Sequence, residues 1–188
     1  MDIAKKIDLI KIVKISLLIL LGSLLLTLSA KIKIPFYPVP MTMQTFVVLF
    51  LGIAFGPKIG LATVSIYLLE GIFGLPVFAN SPEKGIGLIY FTGPTMGYLI
   101  GFMLAVYFVG SKKKLKNKNT HLQIFLRLLF SVSFIYILGL LWLGLLIGWD
   151  KPIFKLGAQP FLLAELFKLV LLTILYPLIV KLNIKLFR

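Results

Sequence analysis

Apolar positions fall along this chain in six long stretches, at about 12–30, 41–55, 59–73, 93–109, 122–147 and 158–180. Within each stretch the hydrophobic residues go all the way round a helical wheel instead of forming one stripe. A helix of that kind is buried in a core or in lipid, and the longest stretches approach the ~20 apolar residues that cross a bilayer. The breaks between stretches are chemical stops. KIKIPFYPVP (residues 31–40) holds three prolines within six residues, which no helix accommodates. Gly56-Pro57 and Gly74-Leu75-Pro76 end the second and third stretches, and NSPEKGIG (80–87), KKKLKNK (112–118) and residues 148–156 are polar connections. The pattern predicts an all-α integral membrane protein, with one six-helix domain over residues 1–188.

Composition sharpens this reading. The chain is 60% hydrophobic and 14% charged, with a mean hydropathy of +1.05, too apolar for an ordinary soluble domain. A net charge of +14 would suggest nucleic acid in a soluble protein, but in a membrane protein it reads as positive charge retained on the cytoplasmic side. Six spans put both termini on one face. That face, with Lys58, the 112–118 loop and Arg127, holds 14 of the 20 basic residues, and the opposite loops hold five. The termini are therefore expected in the cytoplasm, in a multi-pass protein of the cell membrane with lipid around it and no nucleic-acid partner. The basic, apolar start also fits a signal peptide, but Leu28-Ser29-Ala30 lacks a small residue three before a cut, so a retained first helix is expected.

Against this background the last stretch, GAQPFLLAELFKLVLLTILYPLIV, carries two charged residues, Glu165 and Lys168. Three positions apart, they share a helix face, about 12 and 17 Å along the helix from Gly157. Charges at membrane depth usually face a bundle interior and mark a ligand path, although a self-neutralising structural pair is also open. The second, fourth and sixth helices start near Pro40, Pro94 and Pro160 and carry Gln44, Tyr98 and Glu165 in their first two turns. Three outer helix N-termini suit a small anionic or hydrogen-bonding ligand. Gly93, Gly97 and Gly101 read as a close-packing helix face, and Ser23 and Thr27 as a small-residue pair facing another helix of this chain or of a partner. Glu70 and His121 read as solvated groups. There is no phosphate loop, zinc spacing, nucleophile elbow or carboxylate dyad, and no cysteine, so catalysis and ATP hydrolysis by that loop have little basis.

Five blocks add a resemblance: VPMTMQTFVVLFLG (39–52), IYLLEGIFGLPVFA (66–79), FTGPTMGYLIGF (91–102), YILGLLWL (136–143) and PFLLAELFK (160–168). In this order they resemble the BioY family, the substrate-binding S components of biotin energy-coupling-factor (ECF) transporters. The resemblance implies a six-helix protein that captures biotin on the outer side. It implies a transmembrane coupling subunit and a pair of cytoplasmic ATPases as partners, with Ser23 and Thr27 the nearest equivalent of the family's docking face. The last-helix motif, Pro-Phe-x-x-Gly-Asp-x-x-Lys, falls on Pro160, Phe161, Ala164, Glu165 and Lys168, with Ala-Glu in place of Gly-Asp. Asn80-Ser81-Pro82 stands where relatives often have glycines.

The chemistry of biotin agrees with these residues. Glu165, Gln44 and Asn80 suit the ureido ring, Lys168 or the outer helix ends suit the carboxylate, and Phe78, Tyr98, Trp142 and Phe161 suit the thiophane and alkyl chain. No cofactor is expected, since biotin is cargo. An S component or stand-alone facilitator for another vitamin is the alternative, and a small membrane enzyme with Glu165 as base is a further one.

Overall fold

A computed structural model describes residues 2–37, 41–111 and 120–187, with backbone alone for 2–8, 120 and 182–187. Its elements are α1 (Asp2–Lys31), β1 (Lys33–Ile34), β2 (Met41–Thr42), α2 (Gln44–Ile72), α3 (Leu88–Phe91), α4 (Met96–Ser111), α5 (Thr120–Ile147), α6 (Ile153–Gly157), a 3-10 turn (Gln159–Phe161) and α7 (Leu162–Phe187). Four helical stretches are long and apolar enough to cross a membrane, Leu9–Lys31, Gln44–Ile72, His121–Ile147 and Ile153–Lys181, and Met96–Ser111 is a shorter apolar helix. Pro40 and the lysines of the 112–118 loop lie outside the described residues.

The stretch Gln44–Ile72 is not straight. Gln44 Nε2 lies 2.7 Å from Tyr67 Oη, 23 residues on, where a continuous helix would separate them by about 34 Å. The chain doubles back at Gly56, whose φ of 78° and ψ of 179° belong to glycine. Pro57 then starts the second arm, a position where its missing N–H costs nothing. Two arms result, α2a (44–55) and α2b (57–72), matching the break expected at Gly56-Pro57. Other boundaries moved. The fourth helix starts at Met96, two residues beyond Pro94, and Pro160 sits in the 3-10 turn that leads into α7. The two-stranded ribbon, with Lys33 opposite Thr42 and Ile34 opposite Met41, was not legible in a proline-rich connection.

Small residues set the helix spacing. In lipid, helices gain little from apolar burial against each other and pack where backbones approach closely. A Cβ on Gly97 would lie 2.3 Å from the Leu138 carbonyl oxygen, and one on Gly101 2.5 Å from Ile135 Cα, so α4 rides directly on α5. Gly93 precedes the helix and takes no part in this contact. Gly52 plays the same role against Val106 and Val109 of α4. On α1, Gly22, Ser23, Leu26 and Ala30 turn inward, while Leu17, Leu20, Leu21, Leu24 and Leu28 face out. Ser23 is fully buried and its hydroxyl donates to the Glu70 carboxylate on α2b. Of the two partners open to Ser23, it takes a helix of its own chain.

The end of the bundle carrying the ribbon is tied together by side chains. Lys31 donates to the Ser81 carbonyl and, at 3.0 Å, to Ser81 Oγ. Tyr90 Oη donates to the Ala79 carbonyl, and burial pushes this phenol above its ordinary value, so it stays a donor at physiological pH. Phe78 anchors the 74–87 connection. Its ring lies 5.3 Å from Tyr67, 4.7 Å from Tyr90 and 5.4 Å from Phe91, over Gly71, where any Cβ would fall 2.0 Å from the ring.

Candidate functional site

A cavity of about 740 Å³ opens at the ribbon end, enclosed by the ribbon, the 79–84 connection, α4, α5, α6 and the start of α7. Its walls are mostly carbon, including Met41, Phe102, Ile135, Leu143 and Phe161. The first turn of α7 delivers Glu165 into it, and Lys168 follows one turn later on the same face. Both side chains are only 6% exposed, with Nζ 3.4 Å from Oε2.

The pair is not self-contained. Oε2 of Glu165 also accepts from Thr45 Oγ1 of α2a at 3.1 Å and from Tyr136 Oη of α5 at 3.2 Å. Lys168 Nζ donates to Thr45 Oγ1 at 2.9 Å. Three helices therefore converge on one carboxylate oxygen. The other oxygen, Oε1, is buried and has no hydrogen-bond partner among the described residues. A buried, unpaired carboxylate oxygen costs free energy that a donor from a ligand would recover. Lys168 retains one ammonium hydrogen beyond those directed at Thr45 and Glu165. Among the described residues the two side chains thus keep one unused acceptor and one unused donor.

The residues expected from the sequence divide. Asn80, Tyr98, Phe161, Glu165 and Lys168 line the cavity, whereas Gln44, Phe78 and Trp142 lie outside its lining. Gln44 points its amide at Tyr67 Oη, because α2b packs behind it. Phe78 is held in the core by three rings. Trp142 donates Nε1 to the Gly93 carbonyl at 2.9 Å, tying α5 to the chain just before α4. Tyr98 contributes its ring but not its hydroxyl, which donates to the Gly157 carbonyl at 2.9 Å and satisfies the last turn of α6. Sequence reasoning passed over Thr45, Tyr136, Lys33 and Lys84. Tyr136, a phenol deep in an apolar helix, was a readable signal. Thr45 was hidden beside the more polar Gln44.

A sequence model of the BioY family matches residues 4–184. The chain belongs to the BioY family. Among its relatives, the probable biotin transporter BioY of Pyrococcus horikoshii is 34% identical over 145 residues, 77% of this chain and 82% of that protein. The biotin transporter BioY of Thermotoga maritima is 36% identical over 146 residues, 78% of this chain and 83% of that one. The crystal structure of the S-component for biotin from an ECF-type ABC transporter superposes with a TM-score of 0.73 at 26% identity, over 91% of this chain and 93% of that one. BioY proteins are membrane transport proteins, not enzymes, and the apolar helices of this chain place it in a membrane.

Proposed function

We propose that this protein is a biotin-binding S component that takes biotin from the outer side of the cytoplasmic membrane. The observation that carries the reading is the Glu165 node, an acceptor and a donor held unused in an apolar cavity of ligand size. Biotin's ureido ring presents N–H donors and a carbonyl acceptor side by side. Glu165 Oε1 accepts one N–H, and Lys168 donates to the carbonyl. Thr45 and Tyr136 engage Oε2, which leaves Oε1 as the oxygen still without a donor. Asn80 supplies an amide from the opposite wall, and the Tyr98 and Phe161 rings enclose the thiophane and alkyl chain.

In this reading the six helical segments α1, α2a, α2b, α4, α5 and α7 cross the membrane with both termini in the cytoplasm, supported by the 14-to-five distribution of basic residues. The cavity then opens outward, and the ribbon and the 79–84 connection lie at its mouth. Release to the cytoplasm requires work, and the chain carries no phosphate-binding loop. That work comes from a transmembrane coupling subunit and an ATPase pair.

Calorimetry on the detergent-purified protein tests the reading, with wild type beside Glu165→Ala and Lys168→Ala and with other vitamins as controls. Biotin binding that is lost in both variants is the expected result. A folded wild type that binds another vitamin and not biotin refutes it. Vesicles containing this protein alone should not accumulate biotin against a gradient; if they do, the dependence on a coupling module is wrong.

A further inference from the structure

The mouth of the cavity holds two cations with no work assigned. Lys33, on β1, and Lys84, in the connection after Phe78, both line the opening. Each is exposed, and neither ammonium group has a hydrogen bond or ion pair among the described residues. The neighbouring lysines are occupied. Lys31, two residues before Lys33, spends its ammonium on Ser81, and Lys151 pairs with Asp150 at 3.1 Å. The Lys31–Ser81 tie matters for geometry, because it clamps the end of α1 to the very connection that carries Lys84. Two segments distant in sequence are thereby brought to one opening, each offering a positive charge. The acidic groups facing them are few. Glu83 is exposed and forms no ion pair among the described residues, and Glu165 is already engaged by Lys168, Thr45 and Tyr136. With the Glu165–Lys168 pair neutral overall, Lys33 and Lys84 leave the lining with an excess positive charge.

We propose that Lys33 and Lys84 form a carboxylate-recognition site at the mouth, which selects ligands carrying a free carboxylate and draws the two segments together over them. The inference rests on the biotin reading above. Without ligand the two ammonium groups repel each other, and a carboxylate between them removes the repulsion. The deep pole at Glu165 and Lys168 is then left for the uncharged, hydrogen-bonding end of the ligand, so the cavity reads its two ends separately. Both lysines are exposed, so their attraction is screened and salt-dependent.

Biotin and biotin amide, which differ only in the terminal group, a carboxylate in one and a neutral amide in the other, provide the test. Calorimetry on the intact protein should give a preference for biotin over its amide of about four- to twenty-fivefold at low salt, from about two- to fivefold per lysine. The preference should shrink as salt rises. Lys33→Gln and Lys84→Gln should each weaken biotin by about two- to fivefold while leaving the amide unchanged, and the double variant should bind both ligands equally. A thermal-shift measurement without ligand establishes that the variants fold. A wild type that binds biotin but does not distinguish the amide overturns the inference while the biotin reading survives. So does a preference that persists in the double variant and disappears in Lys168→Met, which would move the carboxylate to the deep pole. A folded wild type that binds neither ligand removes the biotin reading itself, and this inference with it.

Discussion

Replacing Lys168 with methionine keeps the length and apolar stem of the side chain and removes only its charge. The consequence follows from the geometry of the node. Two unit charges 3.4 Å apart attract by about 5 kcal/mol at an effective dielectric of ~20, and that attraction offsets the cost of holding a 6%-exposed carboxylate away from water. After Lys168→Met, Glu165 keeps only the Thr45 and Tyr136 hydroxyls. Breaking one side of a buried pair costs about 3–5 kcal/mol, which for a chain of this size corresponds to a fall in Tm of roughly 6–20 °C. The partner change, Glu165→Gln in the Lys168→Met background, removes the stranded charge. That double variant should recover most of the lost stability, because a neutral amide satisfies the same hydroxyls without a desolvated charge. Biotin binding should not recover, since the carboxylate acceptor is gone. The assay is a thermal melt of wild type, both single variants and the double variant in one detergent, with and without biotin. If the double variant melts as low as Lys168→Met, the two charges are not coupled and the argument fails. If the double variant binds biotin as wild type does, the node is structural and the ligand lies elsewhere.

Other outcomes follow from particular contacts. Tyr136→Phe removes one of the three donors to Oε2 and should weaken biotin by about tenfold in calorimetry, at the low end for a hydrogen bond to a charged group; an unchanged affinity would show that the phenol does not position the carboxylate. Phe78→Ala should lower stability by about 3–5 kcal/mol, as aromatic truncations in a core do, while biotin affinity in the folded fraction stays within about twofold, because the ring packs behind the cavity wall. Trp142→Phe loses the bond to the Gly93 carbonyl and should cost about 0.5–1.5 kcal/mol in a melt; a loss of biotin binding with unchanged stability would place the indole in the site after all. Gly97→Val forces a branched side chain against the Leu138 carbonyl and should lower Tm by an amount equivalent to at least about 1–3 kcal/mol. A tolerated valine there would mean that α4 and α5 do not depend on this close approach.

Much of the architecture was written in local chemistry. Uniformly apolar stretches can only be buried, prolines and glycines stop helices at fixed places, and two charges three apart must share a face whatever surrounds them. The break at Gly56-Pro57, the shared face of Glu165 and Lys168, and the Gly97–Gly101 contact face were legible for that reason. Which polar group faces the cavity was not legible, because it depends on how helices rotate and what they pack against. Gln44 and Thr45 are adjacent on one helix, some 100° apart around its axis, and local sequence does not say which one meets α7. Packing chose Thr45 and turned Gln44 toward Tyr67. In the same way it fixed Phe78 and Trp142 as supports and drew in Tyr136, while Arg127 and Ser131 of the same helix bond backbone carbonyls away from the cavity lining. Lys33 and Lys84 line one mouth, where Lys31 ties the end of α1 to Ser81. Helical segments follow from interactions within a few residues. A cavity is built from residues as much as 135 positions apart, Lys33 and Lys168, and only the folded chain sets their distances.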